Sequence, residues 1–233
     1  MVPVMSVKRE LIKGTLILAA AGFAARLLGF FNRVYLANLI SNAELGRYQL
    51  IFPIFMFCMA VSCAGIQVAV SKMVAAYHGA GKKKAIRQTI KSAGIMSLIA
   101  ALLSSGCVIA FSEPISRWIL KDISCRGYLV IMAIAIPFAA VHTCVGGYFY
   151  GIRHTAVPAV TQLLEQVVRV VTIYLLGAMM YQKGKIDASV AVWGLAAGEI
   201  FSCFLTWICY RFSIRSQSGG SGSGEPIRKI LRQ

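Results

Sequence analysis

Gln162-Leu-Leu-Glu-Gln-Val-Val-Arg-Val170 decides how this chain is read. It lies inside an apolar run from Pro158 to Met180. A helix of that length crosses a hydrocarbon core of about 30 Å at about 1.5 Å per residue. Glu165 and Arg169 then sit roughly 10 to 20 Å into the bilayer, where a lipid-facing charge costs at least ~2.5 kcal/mol. Charges at that depth face a bundle interior or a watery cavity. Two readings of the pair stand: a structural i,i+4 ion pair with Glu preceding Arg in the favourable order, or part of a functional lining.

The rest of the sequence supports a membrane setting. The chain is 58% hydrophobic and only 14% charged, against about 25% charged for soluble domains. Its mean hydropathy is +0.72. Apolar blocks of spanning length alternate with short polar loops, at roughly 13–40, 48–76, 91–112, 127–151, 157–181 and 188–211. In lipid these must be α-helices, because only then is every backbone group satisfied. The expected fold is an all-α integral membrane protein with six transmembrane helices. Residues 1–12 precede them, 13–212 form the membrane lobe, and 213–224 form a Gly/Ser-rich linker.

The net charge of +16 does not form a basic face with interleaved aromatics, so no nucleic-acid partner is expected. It is distributed over loops. Lys8, Arg9, Lys13, the Lys82–Lys91 loop, Arg153 and the tail carry fourteen basic residues. The opposite side carries six: Arg47, Arg117, Lys121, Arg126, Lys183 and Lys185. The positive-inside bias therefore places the N-terminus and the tail in the cytoplasm. The Lys8-Arg9 start imitates a signal peptide, but its apolar run continues to Ile40, which is long for a cleavable segment. Seven cysteines fall mostly inside spans without metal-ligand spacing, and His78, His142 and His154 are scattered. No metal site or cofactor is expected.

Polar residues within the spans follow helical spacing. Gly22, Arg26, Gly29 and Arg33 share one face of the first span. The two glycines read as helix-packing points or as room for a ligand. Ser62, Gly65, Ala69 and Lys72 share a face of the second, with Lys72 close enough to the membrane surface to snorkel or to line a cavity. The fifth aligns Pro158, Gln162, Glu165, Arg169 and Thr172. The sixth carries Glu199, Ser202 and Thr206 beside Gly194-xxx-Gly198. Gly147-xxx-Gly151 and Pro137 in the fourth read as structural. Interior charges Arg26, Arg33, Lys72 and Arg169 outnumber Glu165 and Glu199, which suits an anionic ligand held by bidentate arginine.

Several segments in order carry a resemblance: Leu28-Gly-Phe-Phe-Asn-Arg33, Tyr48-Gln-Leu-Ile-Phe-Pro53, Ala64-Gly-Ile-Gln-Val-Ala-Val-Ser-Lys72, Gly147-Tyr-Phe-Tyr-Gly151 and Gln162–Arg169. Together they resemble the polysaccharide-biosynthesis/stage V sporulation protein B branch of the multidrug/oligosaccharidyl-lipid/polysaccharide (MOP) exporter superfamily, related to the lipid II flippases. The resemblance covers residue 8 to about 212. It implies one lobe of a MATE-like, V-shaped transporter working by alternating access in the bacterial cytoplasmic membrane. The implied cargo is an anionic lipid-linked saccharide or peptidoglycan precursor on undecaprenyl pyrophosphate. Membrane lipids and a second transporter lobe are the implied partners. Arg26 matches a cationic cavity position of the flippases. Asn32-Arg33 stands where they place Arg followed by Asp, and Gln67 where this branch often has proline.

The family has about twelve to fourteen spans. Residues 225–233 resemble the amphipathic segment leading to a second half, so the expectation is an N-terminal half, with a self-pairing six-span protein as the alternative. The site expected is Arg26, Asn32, Arg33, Lys72, Gln162, Glu165, Arg169 and Glu199. A cation-coupled drug exporter would want carboxylates to dominate the cavity. A membrane enzyme acting on prenyl phosphates would need paired carboxylates or a nucleophile with a base, yet Asp122 and Asp187 lie alone in loops. No enzyme is expected. A non-transporting sporulation or cell-wall assembly factor needs no signature and stays open.

Overall fold

Ser41-Asn-Ala-Glu44 is a capping-box sequence, and it separates the first two helices. Ser41 Oγ accepts from the Glu44 amide at 3.3 Å, which starts α2 (Asn42–Met59) directly after α1 (Val4–Leu39). The computed structural model describes residues 4–181 and 186–218, with no strand among them. Lys183, Lys185 and the segment 225–233 lie outside the described residues, as do the side chains of Lys8, Arg9 and Lys13. A five-residue π turn, Ala60–Ala64, joins α2 to α3 (Gly65–Gly79). The turn into α4 (Lys83–Ala110) uses Gly81 at φ +69°, a conformation glycine adopts without strain. A short stretch, α5 (Ser112–Pro114) and the π turn Ile115–Ile119, leads to α6 (Cys125–Gly151), α7 (Ala156–Tyr181) and α8 (Ser189–Ser218).

Five helical stretches are long and apolar enough to cross a membrane: Asn42–Gly79, Lys83–Ala110, Cys125–Gly151, Ala156–Met180 and Ser189–Arg215. The sequence predicts six. The remaining candidate, α1, is a 36-residue helix, but much of its first third has no described side chains, so among the described residues the number stands at five. Helices also begin earlier than the apolar blocks suggest, because Ser41 and Gly81, rather than the loss of hydrophobicity, set the breaks. At the other end α8 continues to Ser218, inside the expected 213–224 linker, since no glycine interrupts it before 219.

The centre of this all-α membrane lobe is α6, which packs against α2, α3, α4 and α8, while α7 links α8 to α1. Both small-residue motifs make these contacts. A Cβ on Gly151 would lie 2.7 Å from Val74 and 2.9 Å from the Ser71 carbonyl, and one on Gly147 would lie 2.9 Å from the Gln67 carbonyl. Gly194 and Gly198 seat α8 on α7 at Ile173, Arg169 and Glu165. Gly22 and Gly29 differ, having nothing within 4 Å, so the packing reading for them is not realised within this chain. Gly151→Ala should therefore lower thermal stability by about 1–3 kcal/mol through overpacking, with Gly22→Ala neutral or better. Melting curves of the purified variants in detergent check this, and equal melting of both would contradict the packing argument.

One end of the bundle is tied by a network that loop composition did not reveal. Glu44 ion-pairs with Arg47. Its other oxygen accepts from Tyr128 Oη at 2.8 Å and from the Ala188 amide at 2.9 Å. Arg47 Nε donates to Asp122 at 2.7 Å, and this guanidinium holds the Asp122 carboxyl below its ordinary value. Asp187 accepts from the Ser189 amide at 3.0 Å at the start of α8. Asp122 is thus held by Arg47 of α2, distant in the chain, and Asp187 by the local backbone at the start of α8.

Candidate functional site

The polar residues of α7 wind across two edges of the helix at about 100° per residue. Thr161 and Glu165 lie toward α8 and are buried, whereas Gln166 lies on the side facing α1 and α2. Arg169 falls between the two edges. The close α7–α8 approach at Gly194 and Gly198 brings Glu199 within reach of it. Arg169 Nη2 donates to Glu165 Oε1 at 2.9 Å and stands 3.5 Å from Glu199 Oε1. Both carboxylates are buried, at 7% and 6% exposed.

From α6, His142 joins the same cluster. Its Nε2 stands 3.5 Å from Glu199 Oε2, and its Nδ1 is 3.2 Å from Ser202 Oγ. Sequence reading assigned His142 to no site. The signal was absent because its partners lie on α8, far along the chain and joined to it only by packing. One donor atom each from His142, Glu165 and Glu199 lies within 4.8 Å of the others, a spacing that a cation could bridge. The Arg169 guanidinium already supplies positive charge there.

On its other side Arg169 borders a cavity of about 520 Å³ between α1, α2 and α7. Arg26, Asn32, Arg33, Gln49, Tyr48 and Gln166 are among its walls, and among the described residues no carboxylate is. Asn32 is 8% exposed, and its Oδ1 is buried with no hydrogen-bond partner among the described residues; Arg169 Nε is likewise unpartnered. Three guanidiniums line one half-open volume, with amide and phenol groups between them, a set of donors whose chemistry suits an anion.

Six of the eight expected residues are thus brought together: Arg26, Asn32, Arg33 and Arg169 around the cavity, with Glu165 and Glu199 behind Arg169. Two are not. Gln162 is exposed on α7 and Lys72 is exposed on α3, and neither lines this cavity. The π turn explains Lys72. Its extra residue offsets the helix faces by about 100°, so the stripe from Ser62 does not continue. Ser62 is fully buried and faces Ser104 Oγ at 3.1 Å, whereas Gly65, Ala69 and Lys72 are exposed.

Comparison with known proteins adds an independent line. The chain is 28% identical over 206 residues to stage V sporulation protein B of Bacillus subtilis (strain 168), covering 88% of this chain and 40% of the relative. It is 24% identical over 182 residues to lipid II flippase MurJ of the same organism, covering 72% and 32%. The chain therefore spans well under half the length of these curated relatives. Among solved structures, a MATE in the straight conformation superposes with a TM-score of 0.78 at 12% identity, covering 92% of this chain and 48% of that one. A MOP superfamily transporter from Pyrococcus furiosus gives 0.69 at 15% identity, covering 87% and 45%. These two establish the fold alone. The model of the family described as polysaccharide biosynthesis protein matches residues 11–233, and the chain belongs to that family.

Proposed function

We propose that this chain is one lobe of an alternating-access transporter carrying an anionic lipid-linked saccharide or peptidoglycan precursor, of the undecaprenyl-pyrophosphate type, across the bacterial cytoplasmic membrane. The observation that carries this reading is the cavity lined by Arg26, Arg33 and Arg169, with no carboxylate among the described residues of its wall. A pyrophosphate leaving water needs charge-assisted donors, and planar guanidiniums provide them in pairs. The kinship with a lipid II flippase points to the same cargo class. A cation-coupled drug exporter would offer carboxylates to its cavity, whereas here Glu165 and Glu199 are drawn back against Arg169.

The test is binding by the purified chain in lipid nanodiscs, read by native mass spectrometry. Undecaprenyl pyrophosphate should be retained and undecaprenol should not. Equal retention of both would overturn the anion reading.

The proposal places the N-terminus and tail in the cytoplasm and gives the lobe a second lobe as partner. A cysteine introduced at Lys121 should then react with an impermeant maleimide in intact cells. Reaction only after permeabilisation would reverse the orientation.

A further inference from the structure

We infer that Glu165 and Glu199 hold Arg169 in reserve, so that the two carboxylates compete with the bound anion for one guanidinium. This rests on the cavity being an anion site, and it adds what sets the affinity of that site. Arg169 is the only residue that both borders the cavity and pairs with the buried acids among the described residues.

The pairing is uneven: two buried carboxyl groups share one guanidinium. One of the two contacts is a 2.9 Å hydrogen bond, the other a looser 3.5 Å pairing. Arg169 Nε remains without a hydrogen-bond partner, so the fork is not saturated by the acids. Glu199 itself is held from behind. Gly198 lets α8 approach the Glu165 backbone, and His142, set by Ser202, faces the second oxygen of Glu199.

A guanidinium held by no carboxylate would bind anions whenever the cavity opened, and each carboxylate on the inner side adds to the pull against transfer to a ligand. Glu199 thus adds to the hold that Glu165 already has on Arg169. Removing Glu199 leaves a neutral one-to-one pair with Glu165, so the variant keeps a compensated core while the inward pull weakens.

The experiment measures Arg169 directly and the anion separately. The purified chain in detergent is treated with phenylglyoxal, and modification of Arg169 is followed by mass spectrometry with Arg26 and Arg33 as internal references. In E199Q, Arg169 should react about tenfold faster, the fold-change expected when a buried 3.5 Å ion pair is removed, while Arg26 and Arg33 keep their rates. E199D should restore the slow rate. Calorimetric titration with inorganic pyrophosphate should show E199Q binding about tenfold tighter than the unmodified chain, with no such gain when E199Q is placed on R169Q.

An unchanged Arg169 rate in folded E199Q overturns the inference. Failure of pyrophosphate to bind the unmodified chain, with Arg169 still accelerated in E199Q, overturns the anion reading and the competition with it, and leaves only the hold of Glu199 on Arg169. If E199Q does not fold, E165Q is read by the same criteria. Loss of fold in both assigns the carboxylates a purely structural role and overturns the inference.

Discussion

Arg26→Ala is expected to weaken binding of undecaprenyl pyrophosphate by about 10- to 100-fold, the range spanned by losing hydrogen bonds to a charged group. Arg26→Lys should retain part of the affinity, because lysine keeps the charge and loses the planar fork. The alternative role for Arg26 is a pair with Glu165 or Glu199 that holds the lobe together. Those carboxylates are taken by Arg169, and Arg26 has no ion-pair partner among the described residues. Its side chain is exposed on the cavity wall beside Gly29. Membrane abundance and melting temperature should therefore stay at the level of the unmodified chain while binding falls. A parallel loss of abundance and binding would return Arg26 to a structural role, and normal binding would remove it from the site.

The largest stability effect is expected at Arg169. Arg169→Gln leaves Glu165 and Glu199 buried together without their counter-charge, a situation that costs about 3–5 kcal/mol for a broken buried pair. Glu165→Gln should cost less, because Glu199 remains to compensate the guanidinium. Combining Arg169→Gln with Gln at both carboxylates should restore the melting temperature, since hydrogen-bonding amides replace the charges without an uncompensated one. Pyrophosphate binding should not return with it. Thermal unfolding and native mass spectrometry on the same preparations separate the outcomes. Full recovery of binding in the triple variant would make the network a purely structural device.

Much of this arrangement was legible because it is written in local periodicity. Charges at Glu165 and Arg169 inside an apolar run announce an inward-facing helix edge. Gly147-xxx-Gly151 and Gly194-xxx-Gly198 announce the contacts that the helices then make. What stayed hidden depends on where separate helices meet. His142 is an unremarkable single histidine until α8 brings Glu199 and Ser202 beside it. Glu44 reads as a capping residue, and nothing in its neighbourhood announces Tyr128 or the Ala188 amide. Helical spacing also misleads where the helix changes pitch, which is why Lys72 was aligned with Ser62 and stands away from the cavity.

The π turn at Ala60–Ala64 has a consequence for how this rod could be edited. One surplus residue in a turn acts as a fixed angular offset between two gears on a common shaft. Deleting a single residue from Ala60–Ala64 would restore α-helical pitch and turn the 42–59 half against the 65–79 half by about 100°. Tyr48, Gln49, Phe52 and Pro53 would swing as a set relative to Val70 and Val74, which are anchored on α6 by Gly147 and Gly151. Length and hydropathy of the span would hardly change. The wall of the arginine cavity would nonetheless be exchanged for a different face of the same helix, so at this point the spacing of the chain carries as much meaning as its chemistry.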